Sequence, residues 1–250
     1  DLRGAKKLLE NPGLAAKVSN FVGTPIEKVL KKLPESLSAT VNEVTRKSIE
    51  KALDIALLTM DRDGRGTSSN WWHKLAVAAT GAGGGAFGLP ALAIELPIST
   101  TIMLRSIADI ARSEGEDLRS PESRLQCVQV LALGGKSRSD DGTESGYFAA
   151  RAALARSISE AAAHLTKKGL SHHGAPAIIR LISQVASRFS IVVSEKAAAQ
   201  AVPVVGAFGG AAINTLFIDH FQDMGRGHFI VRRLERLHGQ EEVRRLYDAL

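Results

Sequence analysis

The chain has 250 residues, 44% apolar and 23% charged, with a net charge of +6. One cysteine, Cys127, excludes an internal disulfide framework and a Cys-rich zinc site. An aromatic content of 5% against 23 glycines suits close helix–helix contact and argues against a β-sandwich; the remaining proportions are those of a globular chain with a real core.

Strand signals are scarce and helical ones recur. Residues 1–40 read as an N-terminal helical extension and 41–250 as one all-α domain with two central Gly-rich apolar helices. Ile49, Ala52, Leu53, Ala56, Leu57 and Met60 form one helix face. The polar run DRDGRGTSSN ends that helix, and Asn70 can cap the next. A helix from Leu89 to about Ser113 contains Pro97, which predicts a kink or break near Leu96. Ser120–Pro121 is an N-cap/N1 pair opening a helix to about Leu133. GGKSRSDDGTESG reads as a loop. Helices follow over about 144–168 and 177–200, then a long one from Pro203 to about His238, and a short amphipathic one over 241–250. His172 and His173 fall in a turn and read as solvated.

The tetrapeptide GAFG occurs at Gly85–Gly88 and again at Gly206–Gly209. At the same offset Met103 matches Met224, Arg105 matches Arg226, Arg112 matches Arg233, and Glu114 matches Glu235. Such an echo predicts two Gly-rich helices packed as partners near the centre.

Several motifs fail on inspection. Gly83, Gly85 and Gly88 spell G-x-G-x-x-G, and Asp109 lies where a ribose contact would. Yet no second strand precedes Asp109, and Pro90 and Pro97 interrupt the supporting helix. GGKS at Gly134–Ser137 lacks the earlier glycine of a P-loop; position 130 is Val. There is no HExxH and no G-x-S-x-G, and Cys127 sits in an apolar pattern as a small core residue. Asp219, His220, Asp223 and His228 form the richest ligand cluster. Arg226, three residues after Asp223, and Arg105 favour a salt-bridge network there; a divalent metal on those four residues is the alternative. Arg226, Arg232, Arg233, Arg236, Arg244 and Arg245, interleaved with Glu235, Glu241 and Glu242, read as a solvated helix face.

Glu95 is the most informative single residue, because an unpaired carboxylate inside PALAIELPI is costly to ionise. Arg105, Arg226, Asn214 or free N–H groups near Pro97 are its candidate partners. Trp71, Trp72 and Lys74 form a membrane-interface signature ahead of an apolar run. Ala86–Leu104 has the length of a bilayer span. But Glu near a span centre costs about 2.5–3.5 kcal/mol, and each large aliphatic returns only about 0.3–0.6. That segment and Val202–Ile218 therefore read as buried core helices, with reversible surface insertion as the variant.

The segments GLPALAIELPISTTIMLRSIADIARSEGEDL and VPVVGAFGGAAINTLFIDHFQDMGRGHFIVRRLERLHG resemble the EcsC family, over about Ser48 to Leu237. Gly206, Asn214, Phe221, His228, Phe229, Arg232 and Arg233 carry the resemblance. It implies a bacterial, predominantly helical protein beside a transporter-linked system, and it carries no reaction with it. Some members bear a peptidase label, for which this sequence shows no protease site.

The expectation is a non-enzymatic protein without a cofactor. It associates with an anionic membrane surface or a membrane protein through an apolar groove bordered by Glu95, Arg105, Asn214, Asp219 and Arg226. No secretory leader is legible from Asp1, which with the lone cysteine points to the bacterial cytoplasm, peripheral at the inner membrane. No nucleic-acid partner is expected, since RNP-like aromatics and Cys/His fingers are absent. The rivals are a metal-dependent, peptidase-like hydrolase using Asp219, His220, Asp223 and His228, and a purely structural scaffold.

Overall fold

The computed structural model describes residues 1–10, 13–23, 25–31, 35–59, 88–135, 146–168, 175–202 and 206–250. Among these the chain is all helical, with ten helices and no strand. They are α1 (Leu2–Leu9), α2 (Leu14–Val22), α3 (Ile26–Leu30), α4 (Glu35–Thr59), α5 (Gly88–Ser113), α6 (Pro121–Leu133), α7 (Gly146–Lys168), α8 (Pro176–Gln200), α9 (Gly206–His238) and α10 (Gln240–Ala249). Asn70, the glycines at 81, 83, 84 and 85, the loop from 136 to 145, and His172 and His173 lie outside the described residues.

The centre is α8. Proline at its first position pre-sets the entry φ. Beyond it, Ile178, Leu181, Ile182, Val185, Phe189, Val192 and Val193 are all buried. This helix packs against α2, α3, α4, α6, α7 and α9. It is also the one described helix long and apolar enough to cross a membrane, and half of its most apolar stretch is covered by the rest of the protein. Sequence reading considered Ala86–Leu104 by its length and set it aside as a buried core helix, and did not consider α8. Phe189 meets Phe217 and Phe221 of α9 with ring centroids 6.0 and 5.2 Å apart, one aromatic cluster where α8 and α9 cross; Tyr147, Phe148 and Tyr247 form another.

Pro97 does not break α5, which runs unbroken from Gly88 to Ser113. The carbonyl that loses its N–H partner to proline is that of Ala93, one turn earlier, and Ala93 is exposed to water. The next turn is reinforced from side chains: Ser99 Oγ donates to the Leu96 carbonyl at 3.2 Å and Thr101 Oγ1 to the Pro97 carbonyl at 2.8 Å.

Helices α5 and α9 pack side by side and run parallel. Gln222 Nε2 donates to Ser106 Oγ at 2.9 Å, and just beyond the end of α5 Arg233 Nε meets Glu114 Oε2 at 2.6 Å. The partners are 116 and 119 residues apart, near the 121-residue offset between Gly85 and Gly206 in the sequence echo. Between them Gly225 faces Ile107 and Ile110. On the far side of α9, Gly227 receives Leu9 of α1. Ala5, Leu14, Val18 and Ile26 of the first three helices are fully buried in the same core.

The arginine-rich end of α9 is not merely a solvated face. Glu116, with a carboxylate only 3% exposed, receives Arg232 at 2.8 Å and also Arg236, and Ser123 donates to it at 2.9 Å. Burial pushes this carboxyl up, but Arg232, Ser123 and Arg236 outweigh it and hold it below its usual range. Arg233 joins Glu114 and Asp1, while Arg244 and Arg245 stay exposed.

Two neighbouring glycines separate packing from propensity. A Cβ on Gly225 would meet Ile107 at an ordinary 3.5 Å, whereas on Gly227 it would fall 2.6 Å from Leu9 Cγ and 3.1 Å from the Ala5 carbonyl. Gly225→Ala is expected to be neutral or to gain up to about 1 kcal/mol from helix propensity. Gly227→Ala is expected to lose about 1–3 kcal/mol by overpacking and to raise hydrogen exchange in α1. Urea unfolding of the two variants checks this; equal stabilities would contradict the packing described.

Candidate functional site

Glu95 occupies the second turn of α5, with a side chain 23% exposed. Its carboxylate meets Lys196 of α8, with Nζ 2.5 Å from Oε1. Gln200, one turn further along α8, donates from Nε2 to Oε2 at 3.4 Å. Lys196 has no exposed surface, and its Nζ also sits 4.4 Å from the centroid of the Phe217 ring. Burial pulls the ammonium below its ordinary pKa and Glu95 pulls it partly back. Three helices therefore converge on one cation: α5 supplies the carboxylate, α9 the aromatic face and α8 the lysine.

The partner of Glu95 is thus a lysine that sequence reading did not single out. A signal for it exists. Phe189, Val192, Val193 and Lys196 follow i, i+3, i+4, i+7 spacing, so Lys196 stands at a core position of an apolar stripe. The arginines favoured instead are placed elsewhere. Arg105, ten residues beyond Glu95, is about 15 Å further along the helix axis. Arg226 is exposed and bonds Asp223 and Gln222 of its own helix. Asp219 is exposed. Asn214, one turn before the level of Phe217, has a buried Oδ1 without a hydrogen-bond partner. The expected border of Glu95, Arg105, Asn214, Asp219 and Arg226 is therefore not one cluster. Glu95 and Asn214 lie toward the starts of α5 and α9, and Arg226 lies well along α9. Trp71, Trp72 and Lys74 lie outside the described residues.

The His/Asp cluster is dispersed by the helix itself. Successive residues point about 100° apart, so Asp219 faces water while His220 is buried. His220 Nε2 meets the Gly134 carbonyl at 3.0 Å, and burial draws its pKa down to about 4. His228 is fully buried two turns later, with Nδ1 3.0 Å from the Tyr147 hydroxyl. That hydroxyl accepts from Arg151 at 3.3 Å, which leaves its proton for His228. Burial first, then Arg151 and Arg232, hold His228 well below its ordinary pKa. Asp223 has Lys17 at 3.3 Å and Arg226 at 3.4 Å, the latter being the i,i+3 pair its spacing suggests. Among the described residues no group of three or more His, Cys, Asp or Glu is placed to hold a metal. Cys127 is buried, and burial, with Glu116 nearby, pushes its thiol far above the ordinary range.

Beside the lysine, Glu195 does separate work. Its Oε2 accepts the Ala15 N–H at 3.1 Å, in the first turn of α2. Helix α2 has glycine at its N-cap position and no side-chain cap, so this carboxyl from α8 satisfies one of its orphan donors. Burial raises the Glu195 pKa to about 7, opposed by the Ala15 bond and assisted by Glu27.

The EcsC protein family matches residues 6–234, so the match begins in α1, well before Ser48. No curated protein and no solved structure matches the chain.

Two measurements follow from α8. Glu95→Ala leaves the Lys196 ammonium buried without its carboxylate and is expected to cost about 3–5 kcal/mol. Adding Lys196→Met to it should recover most of that loss in urea denaturation; a double variant no better than Glu95→Ala would refute the pair. For Glu195 the folded pKa lies above the unfolded one. Its contribution to stability is complete below the ordinary carboxylate range and declines as pH rises through about 7. Glu195→Gln should therefore be more stable than the parent at pH 8, by on the order of 2 kcal/mol, and nearly equal to it at pH 4.5. Thermal melts at the two pH values decide it.

Proposed function

The chain belongs to the EcsC family, and we propose that it is a non-enzymatic binding protein of the bacterial cytoplasm, peripheral at the inner membrane. It would engage membrane lipid, or a membrane protein, through the end of the bundle where α5, α8 and α9 meet. The observation that carries this reading is at the start of α9, where among the described residues a Cβ placed on Gly210 would meet nothing within 4 Å. One turn below, Asn214 holds a buried carbonyl oxygen without a partner. On α5, Ile94 is 64% exposed, one residue before the carboxylate that meets Lys196.

An exposed isoleucine alone is ordinary. Here it adjoins the Glu95–Lys196 pair along α5, and α9 adds the buried Oδ1 of Asn214, features suited to an apolar chain carrying a polar head. The positive balance of the chain supports an anionic surface as the medium in which such a chain is presented.

Flotation with vesicles tests the reading. At low salt the protein should float with phosphatidylglycerol-containing vesicles and much less with pure phosphatidylcholine. Ile94→Asp, at an exposed position, should weaken binding about ten- to a hundredfold, the equivalent of about 1.5–3 kcal/mol of lost apolar burial. Failure to float with either vesicle, or undiminished flotation of Ile94→Asp, would count against it.

A further inference from the structure

Far along the bundle from Glu95, helices α6, α7, α9 and α10 enclose a cleft of about 690 Å³. Its floor is one face of α7, where Ala152, Ala155, Ser159, Ala163 and Thr166 are exposed and line the cleft. At about 1.5 Å per residue this stripe is about 21 Å long, the length of about six residues of extended chain at 3.3 Å each. No side chain on it is larger than threonine, so another backbone can lie close against it.

A stripe of small residues would mean little without a second feature. The α6 wall of the same cleft carries Gln126 and Gln129, which are 8% and 2% exposed. The Oε1 atom of each is buried and has no hydrogen-bond partner among the described residues. Such carbonyls are costly to leave unmade. Spaced i, i+3, the two residues lie on one helix face about 5–6 Å apart. A primary amide is the natural complement of a peptide group, since its oxygen accepts the N–H and its NH₂ donates to the C=O.

The charges around the cleft do not select an ion. Arg151 is paired with Glu235 at 2.7 Å, and Arg232 with Glu116 at 2.8 Å. Nor is an open ring offered for stacking a sugar. Phe148 lies beneath the guanidiniums of Arg151 and Arg244, each 5.7 Å from its centroid. We propose that this cleft is a binding site for an extended peptide segment of about six residues, held along the α7 stripe with its main-chain amides engaged by Gln126 and Gln129. The ligand class is set by amide complementarity, length and a lining without net charge, in which Glu122, Glu235 and Glu241 stand against Arg151, Arg232 and Arg244, and it does not rest on the function proposed for the start of α9.

The test uses the full chain on an array of random six-residue peptides. The expected result is a set of peptides bound by the parent and at least tenfold more weakly by Ala155→Arg, which fills the exposed floor. The Gln126→Leu, Gln129→Leu double variant should show the same loss with its circular dichroism and thermal midpoint retained. N-methylation of the two central peptide bonds of the best binder should abolish binding, an effect that side-chain recognition alone would not produce. The proposal is overturned if no peptide distinguishes the parent from Ala155→Arg or if the N-methylated peptide binds equally well. It is overturned also if maltohexaose, and no peptide, binds in an Ala155-dependent manner.

Discussion

An ammonium group with no exposed surface must have a carboxylate within reach, and Lys196 imposes that condition on the helices around it. Helix α8 is the centre of the bundle, so the carboxylate has to come from a neighbour. It comes from α5, and its position fixes how far the start of α5 can lie from the end of α8. The same lysine sits over Phe217, which ties α9 to the same point. An apolar side chain of similar volume would pack as well or better, because removing two charges from water is seldom fully repaid. What the pair adds is uniqueness of register. A shift of α5 by one residue rotates Glu95 by about 100° and strands the lysine.

A second set of charges fixes the other end of the parallel α5–α9 pair. Glu116 gathers Arg232 and Arg236 from α9, and Arg151 of α7 binds Glu235 through two nearly parallel contacts of 2.7 and 2.9 Å. Forked guanidinium–carboxylate geometry is directional in a way that a lone lysine is not. Each end of the pair is thus held by buried or half-buried ions, with Ile107, Ile110 and Gly225 forming the apolar contact between them. One consequence bears on electrostatics. Part of the positive charge that marks this sequence is internal, since Lys196, Arg151 and Arg232 face carboxylates inside the protein. Each internal pair takes up one carboxylate with its cation, so the net excess of +6 stays with the remaining groups.

Legibility in the sequence followed the range of the interaction. Ser120–Pro121 opened α6, and Pro121 to Leu133 is the helix observed. The apolar spacing from Ile49 to Leu57 marked the buried face of α4. The GAFG echo pointed to two associated helices, and α5 and α9 do lie in parallel contact. Pairings across the chain were not legible. Glu95 and Lys196 are 101 residues apart, and nothing local distinguishes Lys196 from Arg105 as a partner. Only its place in an apolar i, i+3, i+4, i+7 stripe marks it. The Asp219 to His228 cluster shows the opposite error. Closeness in sequence suggested a common site, and the helical rotation between adjacent residues separated its members. The arginines near the C-terminus read as solvent-facing because their main partners, Glu114 and Glu116, sit in the turn after α5.

Burial holds several titratable groups of the described core neutral, whereas Glu116 stays ionised against Arg232 and Arg236. General acid–base work needs a group whose pKa lies near the working pH and which can reach a substrate. Burial moves His220 to about 4, draws His228 well below its ordinary pKa, and moves the Cys127 and Tyr147 protons well upward. Each stays neutral across the physiological range, and each is enclosed. Glu195 alone is brought to about 7, and its oxygen is occupied by the backbone of α2. These side chains read as structural ties that happen to be ionisable. The features left open to a partner are of another kind: the unfilled stretch at Gly210 and Asn214, and the glutamine-walled cleft along α7. Both place side-chain amides beside apolar surface, the chemistry on which the two proposed binding sites rest.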